Sequence, residues 1–109
     1  MAILEKKYRG DFDALLRKVE KAVLDGSVSA TLEESADYRT PQGRCSIRVF
    51  ERYSYAGGNR VSMSVTLYQS GSSIRLCAIT SGGSQAVFFK VNTFGEESFL
   101  ETLIEALQE

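Results

Sequence analysis

The sequence predicts an α+β fold of two layers: a five- or six-stranded antiparallel sheet with two helices packed on one face, in the order β-α-β-β-β-β-β-α. Three observations carry this expectation. Between Arg44 and Lys90 apolar and polar residues alternate with the period of half-buried strands. Glycine turns at Ala56-Gly57-Gly58-Asn59, Ser70-Gly71 and Ser81-Gly82-Gly83-Ser84 divide that run into four segments. On either side lies a stretch whose apolar residues recur at helical spacing, and an amphipathic helix must bury its stripe against another element.

Taken in order, residues 3–9 predict a short edge strand with Leu4 and Tyr8 facing inward. Asp11 then caps a helix whose apolar residues Phe12, Leu15, Leu16, Val19 and Val23 fall on one face. Asp13, Arg17, Lys18, Glu20 and Lys21 form its solvated side, and Gly26 is expected to end it in the left-handed conformation. A strand follows from Val28, with Val28, Ala30 and Leu32 alternating against Ser29, Thr31 and Glu33. Thr40-Pro41-Gln42-Gly43 reads as a turn, because proline pre-sets the backbone at the second position and glycine suits the fourth. At the far end Thr93 and Glu96 form a capping box, and Phe99, Leu100, Leu103, Ile104 and Leu107 make an apolar stripe for the second helix. No linker or internal repeat interrupts this order, so residues 1–109 are expected to form a single domain.

Register follows from turn length, since a slip of one residue sends every side chain to the opposite face. Val61, Met63, Val65 and Leu67 define a core face. A Ser70-Gly71 loop pairs Leu67 with Ile74, Val65 with Leu76 and Met63 with Ala78. The loop at Ser81 to Ser84 pairs Ala78 with Val87, Leu76 with Phe89 and Ile74 with Val91. At Gly57-Gly58 a two-residue loop would set Arg52 beside Met63 and Arg48 beside Leu67, burying two guanidiniums. A three-residue loop instead pairs Val49 with Val65 and Ile47 with Leu67, and is the expected one. Glu51 then falls in phase with Cys45, Ile47, Val49, Tyr53 and Tyr55, toward the helices. Arg48, Phe50, Arg52, Arg75, Cys77, Phe88 and Lys90 fall on the uncovered face, as a basic band beside an apolar one. Such a patch marks a contact surface, and the simplest partner is a second copy about a twofold axis, giving a homodimer.

Chemistry is constrained by what is missing. The chain has 109 residues and no histidine, which removes histidine bases, protease-type dyads and most zinc sites. Cys45 and Cys77 are too few and too far apart for a metal motif, so neither a metal nor a cofactor is expected. They read as reduced, largely buried fillers. The longest apolar run is too short to span a membrane and the N-terminus lacks a signal peptide's apolar centre, so a cytoplasmic location is expected. Residues 44–90 carry six Lys or Arg against a single acid, Glu51, in a chain whose net charge is −1. The outer face with Phe50 and Phe88 among arginines resembles a base-stacking sheet. The RNA-recognition signature is missing, however, and nucleic acid is not an expected partner.

Two places qualify as ligand sites. Glu51 and Tyr53 are candidates for the polar end of a pocket, while the favoured reading sets Glu51 at the open end of the sheet, near the glycine turn, where it reaches water or an arginine. Ser81, Gly82, Gly83 and Gln85 sit in a glycine-rich loop whose amides would cradle an anion. That loop joins two strands and has no lysine, so it matches neither the P-loop nor the dinucleotide fingerprint. The resulting expectation is a non-enzymatic binding or interaction module that self-associates and holds a small apolar or anionic ligand. The alternative is an enzyme using Glu51, with Glu34, as acid or base.

The strings Arg48-Val49-Phe50-Glu51-Arg52-Tyr53-Ser54-Tyr55 with Gly57 to Ser62, and Ile79 to Lys90 with Gly95-Glu96-Glu97, carry a resemblance. The chain resembles a family of small uncharacterised bacterial proteins known as a domain of unknown function. The resemblance spans nearly the whole chain and implies a bacterial, stand-alone protein. It brings no activity, cofactor or catalytic residue.

Overall fold

The computed structural model of the chain describes residues 2–53 and 60–82, together with Leu100, Leu103, Ile104 and Leu107. The elements are β1 (Ala2–Arg9), α1 (Phe12–Asp25), β2 (Thr31–Thr40), β3 (Gly43–Tyr53), β4 (Arg60–Ser70) and β5 (Ser73–Gly82). The five strands form one antiparallel sheet in the order β1-β5-β4-β3-β2.

The strongest alternation in the sequence makes the centre of the sheet. Val61, Met63, Val65 and Leu67 of β4 are buried, as are Ile74, Leu76 and Ala78 of β5. Over them lie Phe12, Leu16, Val19 and Val23 of α1, with Leu4 and Tyr8 of β1 packed at the side. Leu100, Leu103 and Leu107 are buried in the same core, and Ile104 packs against it. Each such side chain contributes about 1.5–3 kcal/mol on burial, so this cluster is the main stabilising term.

Capping fixes where α1 starts. The Asp11 carboxylate accepts from the Asp13 amide at 2.9 Å and from the Ala14 amide at 3.3 Å, two donors that the first turn would otherwise leave open. At the other end the Gly26 amide donates to the Ala22 carbonyl, but Gly26 stays right-handed (φ −75°) instead of adopting the expected left-handed conformation. Val28 lies outside any strand and is 102% exposed, and β2 begins only at Thr31.

The β2–β3 hairpin closes on Pro41-Gln42, with Thr40 opposite Gly43, as the turn chemistry predicts. Glycine is needed at that corner for a second reason: a Cβ on Gly43 would overlap the backbone carbonyl oxygen of Gln69. The β4–β5 loop is Gly71-Ser72, one position later than expected, with Gly71 at φ +62° as in a type II′ turn. Leu67 therefore pairs with Leu76, Val65 with Ala78 and Met63 with Thr80. The partners shift by two residues, and the faces stay as predicted.

For β3 the faces reverse. Phe50 pairs with Met63, Arg48 with Val65 and Arg52 with Val61, so these residues point toward α1 while Cys45, Ile47, Val49, Glu51 and Tyr53 point away. The expected pairing of Val49 with Val65 and Ile47 with Leu67, chosen to keep guanidiniums out of the core, is overturned. Phe50 is 0% exposed and Arg48 only 8%. Arg48 is tolerated there because two carboxylates reach it: Glu20 of α1 lies 2.7 Å from its Nε, and Asp37 of β2 lies 3.1 Å from its second terminal nitrogen. Its remaining donors reach the Ile47 and Ala36 carbonyls, and Asp37 also accepts from the Ser46 hydroxyl at 2.6 Å.

The two-helix layer is also corrected. The described elements are one helix and five strands, with α1 alone as the helical element spanning the sheet. The strand pairing is corrected at β5. Its second edge is taken by β1, with Leu4 opposite Ala78, Lys6 opposite Leu76 and Tyr8 opposite Ile74. Both edges of β5 are thus occupied, and the expected pairing of these residues with Val87, Phe89 and Val91 is not made. Those three residues, the turn at Ala56 to Asn59 and the Thr93–Glu96 capping box lie outside the described residues.

Removing the Arg48 fork leaves Glu20 and Asp37 without their common partner. Because both carboxylates keep some solvent, Arg48→Ala should lower stability by about 2–3 kcal/mol, read as a shift in the urea midpoint. Asp37 and Asp13 give a pH signature. The Ser46 hydroxyl and then Arg48 hold the Asp37 carboxyl below its ordinary 3.8, and Arg44 does the same for Asp13. Between the lowered folded values and 3.8 the unfolded chain binds more protons, so stability is lost as pH falls from about 3.8 downward. Urea unfolding at descending pH should show this slope, and Asp37→Asn should reduce it.

Candidate functional site

Because α1 and the core cover one face of the sheet, side chains on the other face define what the described protein can present. Three rows cross that outer face. One reads Lys7, Arg75, Tyr68, Cys45, Tyr38 from β1 to β2; the next Glu5, Cys77, Thr66, Ile47, Ala36; the third Ile3, Ile79, Ser64, Val49, Glu34. Ile3 is 58% exposed and Tyr38 61%, while Ile47 and Val49 are half-buried. Aliphatic residues thus flank Ser64 and Thr66 of the central strand, Ile3 and Ile79 on one side and Ile47 and Val49 on the other, with Lys7 and Arg75 at one corner and Glu34 at the opposite one. Among the described residues no element packs over it.

At the end of the sheet near residue 60, Glu51 meets Arg60. The guanidinium Nε lies 2.6 Å from the Glu51 carboxylate, Glu33 stands 3.6 Å from a terminal nitrogen, and the Tyr53 ring lies 5.2 Å from the guanidinium carbon. The Tyr53 amide donates to the Ser29 hydroxyl, which ties this end of β3 to the segment before β2. Glu51 is therefore a paired carboxylate on an open face, not a carboxyl enclosed beneath the helix. Among the described residues nothing encloses Glu51, and Glu34 lies in the Val49 row, facing a different part of the sheet.

The other sequence candidates divide clearly. Ser81 shares a row with Ser62 and Glu51, and its carbonyl accepts from the Ser62 hydroxyl at 3.3 Å. Two strand spacings, about 10 Å, separate its backbone from that of Glu51, with Ser62 between them. Gly82 pairs with Val61 at the end of β5. Gly83 and Gln85 lie outside the described residues, as do Phe88 and Lys90. Arg75 and Cys77 are on the outer face as expected. Arg48, Phe50 and Arg52 are on the helix-facing side and cannot belong to the same surface.

Both cysteines are unbonded and half-buried. Burial, aided by Glu5, pushes the Cys77 thiol above its ordinary range and keeps it protonated, which makes it a packing group rather than a nucleophile. Among the described residues no three His, Cys, Asp or Glu side chains gather to hold a metal, and no helix is long and apolar enough to cross a membrane. What sequence reasoning missed on this face are Ile47, Val49 and Tyr38. Their exposure follows from the parity of β3 and the edge position of β2, neither of which alternation alone reveals.

The family model described as a family of unknown function, DUF6054, matches residues 1–109, and the chain belongs to that family. A search of the curated proteins finds no match to it. The role of Glu51 is therefore tested on the residue itself. As an exposed ion pair, Glu51→Gln should shift the urea midpoint by no more than about 1 kcal/mol equivalent, with an unchanged far-ultraviolet spectrum.

Proposed function

We propose that the protein is a non-enzymatic interaction module that self-associates through the outer face of its sheet. The observation supporting this is the pair of aliphatic clusters, Ile3 with Ile79 and Ile47 with Val49, on either side of Ser64 and Thr66 on a face that α1 leaves open. Five strands at about 4.8 Å and ten residues at about 3.3 Å give a face of roughly 800 Å², the share each partner contributes to a standard-size interface. A twofold axis running along β4 sets Ile79 of one copy over Val49 of the other, and Lys7 over Tyr38. The first contact is apolar burial and the second a cation over an aromatic ring.

Glu51 argues against the catalytic alternative, because Arg60 occupies its carboxylate on an open surface. Light scattering over a concentration series tests the proposal. The wild type should be a dimer at micromolar concentration, and Ile79→Asp, at an exposed position, should be a monomer with an unchanged far-ultraviolet spectrum. A wild-type monomer throughout the series, or a dimer indifferent to Ile79→Asp, would remove this face from self-association.

A further inference from the structure

On the helix-facing side, at the end of the sheet formed by the Thr40–Gly43 turn, three donor side chains stand in one row on adjacent strands. They are Gln69 of β4, Arg44 of β3 and Arg39 of β2. Arg39 and Arg44 are direct cross-strand partners, about 5 Å apart at the backbone, and like charges so placed destabilise a sheet by themselves. Arg44 is fixed in position. Its two terminal nitrogens donate to the Asp13 carboxylate at 2.8 and 3.1 Å, and its guanidinium carbon lies 4.2 Å from the centre of the Phe12 ring. Arg39 makes no hydrogen bond or ion pair with another described residue. Beside the pair opens a cleft of about 460 Å³, lined also by Thr40, Gln42, Gln69 and Gly71 and by Asp13, whose carboxylate is bound to Arg44.

The nearby carboxylates are already engaged. Asp13 is on Arg44, Asp11 caps α1, and Asp37 holds Arg48 and the Ser46 hydroxyl. The turn's own amides, Gln42 and Gly43, donate to the Thr40 hydroxyl oxygen at 3.2 Å. The donors left for a ligand are therefore Arg39, the unused N–H groups of Arg44 and the Gln69 amide. Positive potential at this spot is evident in Asp13, whose carboxyl is held below its ordinary range by Arg44 foremost, with Arg17 and Arg39 adding.

We propose that this cleft binds a phosphate-bearing small molecule, with the phosphoryl group bridging Arg39 and Arg44 and the Gln69 amide as third donor. A tetrahedral dianion suits the row better than a carboxylate does. It offers oxygens to two guanidiniums at once, whereas the carboxylate-matching edge of Arg44 is taken by Asp13. The cleft exceeds the size of a phosphate ion and leaves room for an organic remainder. This site lies on the opposite face from the proposed dimer contact and does not depend on it.

The test is amide and arginine Nε chemical-shift mapping during titration with inorganic phosphate and, separately, glycerol 3-phosphate, with chloride at matched ionic strength as control. Saturable shifts confined to Arg39, Gln42 to Arg44 and Gln69 to Gly71, from either phosphate compound and not from chloride, are expected. Arg39→Gln, an exposed position, should keep the far-ultraviolet spectrum and weaken binding about tenfold, the worth of one charged hydrogen-bond partner. Shifts no larger than those from chloride for both compounds, or binding equal in Arg39→Gln, would overturn the proposal.

Discussion

A guanidinium inside the two-layer sandwich is the constraint on which the rest depends. Arg48 sits in the middle of the helix-facing surface of β3, between Val65 of β4 and Ser35 of β2. A charge taken from water costs several kcal/mol unless it is paired and its donors are met. Glu20 and Asp37 supply the pairing, from α1 on one side and β2 on the other. Burial alone would favour loss of the Arg48 proton, but those two carboxylates hold its pKa above the usual guanidinium value. The charge therefore persists and acts as a rivet through three elements.

A second pair makes that rivet directional. Asp13 meets Arg44 and Glu20 meets Arg48, seven residues apart on the helix and four on the strand. Seven helical residues rise about 10 Å and four strand residues about 13 Å, so the spacings match when α1 runs alongside β3 in the same sense. Sliding the helix by one turn would break both pairs. Because these contacts also fix the parity of β3, they determine which side chains the opposite face displays. The outward placement of Ile47 and Val49 is thus set by charges on the far side of the sheet.

The parts of the fold legible in the sequence are those where one period dominates. Phe12, Leu16, Val19 and Val23 announce α1, and Val61 to Leu67 announce β4, because nothing competes with burial at those positions. Strand β3 is mixed on both sides: Ser46, Arg48 and Phe50 against Cys45, Ile47 and Val49. Hydrophobicity favours the second set inside, and the structure places the first there. The deciding signal lay in another element, where Asp13 and Glu20 look like ordinary members of a solvated helix face. The edge strand β1, with Leu4 and Tyr8 inward, is legible, but its partner and the start of β2 are not. Nearly every residue of β2 is exposed, so it has little hydrophobic pattern to read, and β1 is too short and charged to reveal that it pairs with β5. Of the candidate site, the outer positions of Arg75 and Cys77 are legible, whereas Ser81, expected in a loop, belongs to β5. The Glu51–Arg60 pair required knowing that β3 and β4 meet with Tyr53 opposite Arg60.

The placement of β1 has a consequence for the order of events during synthesis. Leu4 lies opposite Ala78 and Tyr8 opposite Ile74, so almost the whole described chain separates the sheet's edge strand from its partner. On the ribosome the β2–β3 and β3–β4 hairpins can close soon after they emerge, since their partners are neighbours in sequence. Strand β1 has no partner in the sheet until β5 follows. Such distant closure slows folding and prolongs the exposure of unpaired backbone to other nascent chains. Lysines at positions 6 and 7 of that waiting strand oppose edge-to-edge pairing with other chains during the interval, by charge repulsion.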